Sequence, residues 1–177
     1  MKIITICGSL REDSSTARAL LIASEAARLA GANVESVDLQ SYELPFCDGR
    51  PDRSPYGEST NRFIETVQSA DGLILGSPNY HGSLTGVLKN ALDLLGPDAI
   101  RDKLVGLVAT ARGDAGAMNT LNHLRHICRW MNGWVIPAEV SIPRAHEMLG
   151  DPMDPNIREQ LENLARELVR YNTLLNR

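Results

Sequence analysis

Apolar residues recur in five short runs along the chain, and these runs predict five β-strands. Three of the runs carry no charge after their first residue, which is typical of strands buried on both faces of a sheet. Another alternates around Val34 and Val37. The predicted strands cover residues 3–7, 33–39, 71–76, 104–111 and 133–142.

Between the strands, apolar residues recur at helical spacing and predict five helices. Gly31 follows the first helix, as is usual for a residue just past a helix end. Residues 40–59 and 143–155 are rich in Pro, Gly and Asp and are predicted to be irregular. The predicted helices cover residues 17–29, 60–70, 83–95 with Ser83 as the N-cap, 117 to about 131, and 156–175.

Strands that alternate with helices indicate an α/β fold with a doubly wound parallel sheet. No repeat or linker divides the sequence, so we expect residues 1–177 to form a single domain. In such sheets ligands bind beyond the carboxyl ends of the strands. The loops 8–16, 77–83 and 110–116 follow the first, third and fourth strands, and we expect them to meet there.

Composition excludes several classes of function. The 177 residues are 43% apolar and 23% charged, with a net charge of −4 and no basic stripe, so nucleic acid is not an expected partner. No apolar run approaches the roughly 20 residues of a membrane span. The first residues enter a strand without a secretion signal, and the three widely spaced cysteines fit neither a disulfide framework nor a zinc site. We therefore expect a cytoplasmic protein.

The loop after the first strand has the composition of a phosphate site. It opens with Gly8, lacks both common glycine-rich nucleotide motifs, and leads into a helix whose free N–H groups favour an anion. An N-cap at Ser14 or Ser15 with spare surface hydroxyls would explain the same composition, and the loop alone leaves both interpretations open. The candidate phosphate ligands are the hydroxyls and guanidinium of Ser9, Arg11, Ser14, Ser15 and Thr16.

The other two loops are suited to a flat ring. Residues 77–83 form a Pro-Asn-Tyr turn, and residues 110–116 offer backbone amides and one arginine. A phosphate site facing such loops fits a heteroaromatic ring with a phosphate tail, and FMN has this form. The candidate residues here are Pro78, Asn79, Tyr80, His81, Ser83, Arg112 and Gly113.

Three motifs resemble those of the NADPH-dependent FMN reductase family of flavodoxin-like proteins. The first is the phosphate loop, the second is the Pro-Asn-Tyr segment with the helix that follows it, and the third is an Asp-Leu pair followed by a Leu-Pro pair. The similarity covers most of residues 1–116, and the first two motifs agree with the family in order and separation. The matching residues are Gly8-Ser9-Leu10-Arg11 with Ser14 and Thr16; Pro78 to Ser83 with Gly86, Leu88-Lys89-Asn90 and Asp93; and Asp38-Leu39 with Leu44-Pro45.

The resemblance implies a flavodoxin-like sheet of five parallel strands in the order 2-1-3-4-5, with helices on both faces. It implies non-covalent FMN on the candidate residues above and NADPH or NADH as co-substrate. Hydride would pass through FMN to a flavin, a quinone or another small acceptor, with no catalytic side chain and no metal. A homodimer or homotetramer is also implied.

Two features bear on this resemblance. The loop 110–116 lacks the double glycine that is common in the family, so Arg112 would bring an added charge near the flavin or the nicotinamide phosphates. A flavodoxin-like electron carrier and a non-enzymatic FMN-binding module are the alternatives. Arg11 in the phosphate loop and the net charge of only −4 argue against a carrier.

Four large side chains have open roles. Trp130 and Trp134 are expected in the core or at a subunit interface. Arg50 and Arg53 lie in the long loop and could reach the 2′-phosphate of NADPH, although arginines in loops are more often solvated.

Overall fold

The computed structural model describes residues 1–50 and 56–175 and contains one parallel sheet. Five strands lie in the order β2-β1-β3-β4-β5, which confirms the predicted fold class. Each strand overlaps its predicted range, because the buried apolar runs define it. The strands are β1 Lys2–Cys7, β2 Asn33–Asp38, β3 Gly72–Pro78, β4 Leu104–Thr110 and β5 Trp134–Ile142.

Residues 1–50 and 56–175 contain six α-helices and one short 3₁₀ turn, Leu39–Ser41. Five of the helices were predicted. The sixth, α5, lies in the segment that was expected to be irregular, and it is too short to show a helical period. The helices are α1 Ser15–Leu29, α2 Glu58–Gln68, α3 Gly86–Leu94, α4 Met118–Trp130, α5 Ala145–Met148 and α6 Pro155–Leu175.

Helices cover both faces of the sheet, and neighbouring strand residues pack into different cores. Ile74 belongs to the cluster that contains the buried residues of α1 and α6. Leu75, the next residue of β3, packs with Phe63 of α2 and Leu121 of α4. Because side chains alternate along a strand, the uncharged centre of β3 serves both cores at once. None of the described helices is long and apolar enough to cross a bilayer.

Helix α1 begins two residues before its predicted start at residue 17, and Ser14, one of the two predicted caps, is its N-cap. The Ser14 side chain accepts a hydrogen bond from the Ala17 N–H at 3.2 Å, and this N-cap fixes the direction in which the phosphate-type loop enters the helix. Gly31, just past the helix, has a φ of 96°, a conformation that favours glycine.

The N-cap of α3 was predicted wrongly. Thr85, not Ser83, accepts the hydrogen bond of the Leu88 N–H, at 3.2 Å. Ser83 lies before the helix, in a two-residue hairpin with Tyr80, and its Oγ is 2.9 Å from the Nδ1 of His123. Both hydroxyl residues are good N-caps, and the hairpin delays the start of the helix to Gly86.

The long loop between β2 and α2 is held against α3 by Asn90. The Asn90 side chain donates to the Pro45 carbonyl at 3.0 Å and accepts from the Cys47 N–H at 2.9 Å. Phe46, between these two anchors, is 88% exposed. A motif residue of α3 thus has a structural role in presenting an apolar side chain to solvent.

Candidate functional site

Three loops meet at the carboxyl edge of the sheet and surround a cavity of about 580 Å³. Cavities of this size are typical of small-molecule sites. Nine of the twelve candidate residues line it, although they come from three separate parts of the sequence. The lining residues are Ser9, Arg11, Ser14, Ser15, Thr16, Pro78, Asn79, Tyr80, Thr110, Ala111, Arg112, Ala145 and His146.

One end of the cavity is rich in hydroxyl groups. Ser9, Ser14 and Thr16 are nearly buried, so their side chains are fixed by packing. The Ser9 hydroxyl accepts from the Arg11 N–H at 3.3 Å, which curls the loop around the first turn of α1. The first N–H groups of a helix have no partner within the helix, so this end can donate several hydrogen bonds to an anion.

Thr16 and Thr110 join the hydroxyl-rich end to the strand on the far side of the cavity. Their side-chain oxygens are 2.7 Å apart in a buried contact. Thr110 is the last residue of β4 and lines the cavity, but it was not among the predicted ligand-binding residues. A hydroxyl residue at the carboxyl end of an apolar strand was the feature of the sequence that could have pointed to Thr110 as part of the site.

Gly8 lets the phosphate-type loop lie close to α3 and β3. A Cβ there would lie 2.9 Å from the Leu88 Cβ and 3.0 Å from the Gly76 carbonyl oxygen, which are shorter than normal contacts. The Gly8 N–H donates to that same oxygen at 2.8 Å. The glycine is therefore required for space, and it sets the phosphate-type loop directly over α3.

Asn79 ties the second loop to the third. Its N–H donates to the Thr110 carbonyl at 2.7 Å, and its side chain donates to the Gly116 carbonyl at 3.3 Å and accepts from Thr120 at 3.0 Å. The amide side chain is thus occupied within the protein. Tyr80, the next residue, is 49% exposed and forms an open wall of the cavity.

His81 and Ser83 were candidates but do not line the cavity described here. They belong to the hairpin turn, in which His81 and Gly82 have φ values of 52° and 82°. These values suit a two-residue turn with both central residues in the left-handed region. The structure therefore places them in the turn that Tyr80 begins, where they shape the loop.

Gly113 is the third candidate residue that does not line the cavity. It forms a hydrogen bond with the segment that follows β5. Its carbonyl accepts from the Arg144 N–H at 3.2 Å, and the Ala145 N–H donates to the Ala111 carbonyl at 2.9 Å. These bonds bring Ala145 and His146 to the cavity. No sequence motif pointed to them, because the contact depends on a short helix far along the chain.

The cavity carries a positive charge. Arg11 and Arg112 line it, and among the residues that the structure describes no Asp or Glu does. Below the loop, burial raises the pKa of the Cys7 thiol, whose Sγ is 3.9 Å from the Ser9 carbonyl, so we expect an unreactive thiol there. The described part of the chain brings no three His, Cys, Asp or Glu side chains together to hold a metal ion.

Three of the side chains with open roles lie away from the cavity. Arg50 pairs with Asp48 and stacks on Tyr56 at 4.5 Å, whereas Arg53 lies outside the described residues. Trp130 and Trp134 are 76% and 65% exposed. A core position for the two tryptophans is therefore wrong.

Comparison with known proteins identifies a family and several relatives of the chain. The model of the NADPH-dependent FMN reductase family matches residues 1–147. An NAD(P)H-dependent FAD/FMN reductase from Geobacillus thermodenitrificans is 34% identical over 171 residues, which are 96% of this chain and 92% of that protein. An FMN-dependent NADPH-azoreductase from Staphylococcus aureus is 34% identical over 144 residues, 80% of this chain and 76% of that protein.

The chain belongs to the NADPH-dependent FMN reductase family. It is an FMN-dependent NAD(P)H oxidoreductase, as the resemblance implied. The fold agrees as well, since FerB, a flavoenzyme NAD(P)H:(acceptor) oxidoreductase from Paracoccus denitrificans, has a TM-score of 0.82 at 18% identity. That alignment covers 98% of this chain and 97% of FerB.

Proposed function

We propose that the cavity at the carboxyl edge holds the FMN phosphate at its hydroxyl-rich end. The observation that supports this most directly is the donor set: three nearly buried hydroxyls, a helix N-terminus and one guanidinium converge there. These groups donate many hydrogen bonds to a dianion without a metal. The proposed phosphate ligands are Ser9, Arg11, Ser14, Ser15 and Thr16.

The isoalloxazine ring lies between the second and third loops in this proposal. Tyr80 and Pro78 offer apolar surface, and Ala111 and Arg112 of the third loop line the same cavity. Arg112 would stabilise negative charge on the ring, as an arginine near a developing anion does. None of the candidates His81, Ser83 and Gly113 lines the cavity. In this proposal they keep the loops in position and do not contact FMN.

When bound, FMN supplies the hydride chemistry between NADPH or NADH and the acceptor. The chain contributes orientation, through walls fixed by the hydrogen bonds of Asn79. Because Tyr80 is half exposed, one side of the cavity is open to a second planar molecule. This openness supports a flavin, a quinone or another small acceptor that takes the place of the nicotinamide.

We further propose that residues 1–177 act as one FMN-binding domain within a homodimer or homotetramer. Phe46, Trp130 and Trp134 are large apolar side chains that are mostly exposed, which supports burial against another subunit. Cys7 and Cys128 form no disulfide in the part of the chain that the structure describes, which suits the cytoplasm.

The phosphate assignment is tested by Arg11→Ala. The variant removes a charged hydrogen-bond donor from the phosphate but not from the ring, so FMN affinity should fall by about tenfold or more while riboflavin affinity stays unchanged. Titration of the apoprotein by flavin fluorescence measures both. Arg129→Ala, an exposed arginine of α4, is the matched control. Equal FMN affinity in wild type and Arg11→Ala would contradict the assignment.

Anaerobic mixing of the FMN-loaded protein with NADPH or NADH tests the electron donor. Rapid bleaching of the flavin band by one nucleotide would identify it. A flavin that stays oxidised with both would favour the electron-carrier alternative.

A further inference from the structure

Helix α4 holds the loop that carries Tyr80 at two points. Thr120 donates a hydrogen bond to the Asn79 side chain at 3.0 Å, at the start of the loop. The Nδ1 of His123 lies 2.9 Å from the Ser83 hydroxyl, four residues further along the loop. Thr120 and His123 are three residues apart in α4, so their side chains share one face of the helix. Neither of them lines the cavity, so α4 fixes the loop from outside.

Backbone hydrogen bonds connect the position of Ser83 to that of Tyr80. The Tyr80 N–H donates to the Ser83 carbonyl at 2.9 Å, and the Ser83 N–H donates to the Tyr80 carbonyl at 3.1 Å. His81 and Gly82 form the turn between them. A shift of Ser83 therefore either breaks these two bonds or moves the Tyr80 backbone with it, and the Tyr80 side chain lines the cavity.

The two attachments of the loop differ in exposure. Thr120 is buried, whereas His123 is exposed on the surface of α4. A hydrogen bond at the surface replaces one that water would make, so it contributes little to the free energy of unfolding. The contact between His123 and Ser83 instead restricts the surface side of the turn, at which Tyr80 is 49% exposed.

We propose that His123 is a positioning residue for the flavin ring, because it holds Tyr80, through Ser83, where Tyr80 borders the isoalloxazine. The inference rests on the proposed function, which sets the ring against Tyr80. With the contact made, the ring meets a wall that is already ordered. Without it, binding must also order Tyr80, and the ordering of one such side chain weakens affinity by up to about tenfold. No chemical step is assigned to His123.

Substitution of His123 tests the proposal through the affinity for the flavin ring. His123→Ala removes the contact with Ser83, whereas His123→Asn keeps a hydrogen-bonding atom at the position of Nδ1. His126→Ala is the matched control, because His126 is an exposed histidine of the same helix that bonds to Trp130 instead. Apoprotein of each variant is titrated with riboflavin and with FMN by flavin fluorescence, and urea unfolding checks that each variant is folded.

We expect His123→Ala to weaken the binding of riboflavin and FMN by the same factor, about three- to tenfold, because the two flavins share the ring. His123→Asn and His126→Ala should bind both flavins as tightly as the wild type. Unchanged riboflavin affinity in His123→Ala would overturn the proposal. An equal loss in His123→Asn would also overturn it, since the hydrogen bond would then not be what positions Tyr80.

A double variant tests whether His123 acts through Ser83. Ser83→Ala should weaken riboflavin binding as much as His123→Ala does, and the two changes together should weaken it no further. Losses that multiply in the double variant would overturn the role of Ser83 as the link. Failure of the wild type to bind either flavin would overturn the proposed function itself. Binding by the wild type with unchanged affinities in His123→Ala would remove only the role of His123.

Discussion

The hydroxyl of Thr85 lies 2.6 Å from the carbonyl oxygen of Gly8 and donates a hydrogen bond to it. The same oxygen atom of Thr85 accepts the Leu88 N–H that begins α3. One side chain therefore caps a helix and holds the loop assigned to the FMN phosphate. Thr85 itself is buried, so water cannot replace either bond.

Replacement of Thr85 by valine should destabilise the protein by about 1–3 kcal/mol. The side chain keeps its shape but leaves the Gly8 carbonyl and the Leu88 N–H without this partner. Urea unfolding measures the loss. Ser83→Ala is the matched control and should cost less than about 0.5 kcal/mol, because Ser83 is not the cap. Equal losses in the two variants would contradict the assignment of Thr85.

Substitution at Gly8 should be far more costly than at Gly86. An added methyl at Gly8 meets Leu88 and the Gly76 carbonyl within 3.0 Å, so we expect Gly8→Ala to lose about 1–3 kcal/mol in stability and to bind FMN more weakly. At Gly86, the first residue of α3, a Cβ would meet no atom within 4 Å. Gly86→Ala should be neutral or stabilising by up to about 1 kcal/mol. Thermal unfolding and FMN titration compare the pair, and a larger loss at Gly86 would contradict the steric account.

The sequence was sufficient for the sheet and for the nearer part of the site. Buried strands such as β3 are recognisable because an uncharged apolar run has few other stable environments. The helical pattern that follows Ser14 and Ser15 predicted that one of the two is the cap of α1. Thr85 was missed for a physical reason. Ser83 and Thr85 have similar cap propensities, and the hairpin at His81 and Gly82 decides between them through tertiary contacts.

The remote wall of the site was beyond prediction. Ala145 and His146 reach the cavity because α5 is bonded to the loop after β4, and no local pattern encodes such a contact. The exposure of Trp130 and Trp134 could not be predicted either. An aromatic residue in a helix or strand produces the same sequence pattern whether its side chain packs in the core or against another subunit.

Asn79 should contribute to stability as well as to the shape of the cavity. Asn79→Ala removes the bonds to the Gly116 carbonyl and to the Thr120 hydroxyl, and we expect a loss of about 1–3 kcal/mol. Asn122→Ala, an exposed residue of α4, is the control and should change stability by less than about 0.5 kcal/mol. Urea unfolding measures both. A loss at Asn79 no greater than at Asn122 would show that the two loops are held by other contacts.

Cys128 should make the protein less stable at alkaline pH. Burial raises the pKa of its thiol to about 12, whereas an unfolded cysteine has a pKa of about 8.5. The folded state thus keeps a proton that the unfolded state releases. Its contribution is fully present below pH about 8.5 and falls by up to about 1.4 kcal/mol per pH unit as the pH rises toward 12.

The pH dependence is measured by urea unfolding of wild type and Cys128→Ala between pH 8 and 10.5. The variant should start less stable because of the cavity it creates, and the difference between the two proteins should shrink as the pH rises. A difference that stays constant over this range would contradict an elevated thiol pKa.

The amino-terminal residues lie at the end of the sheet opposite the cavity. The carbonyl of Met1 accepts from Asn33, the first residue of β2, and the carbonyl of Lys2 accepts from Asp71, just before β3. A polypeptide or a surface linker joined at residue 1 would therefore extend away from the loops at the carboxyl edge. Coupling the protein to an electrode through this end would leave the proposed flavin cavity facing the solution, in an orientation suited to direct voltammetry.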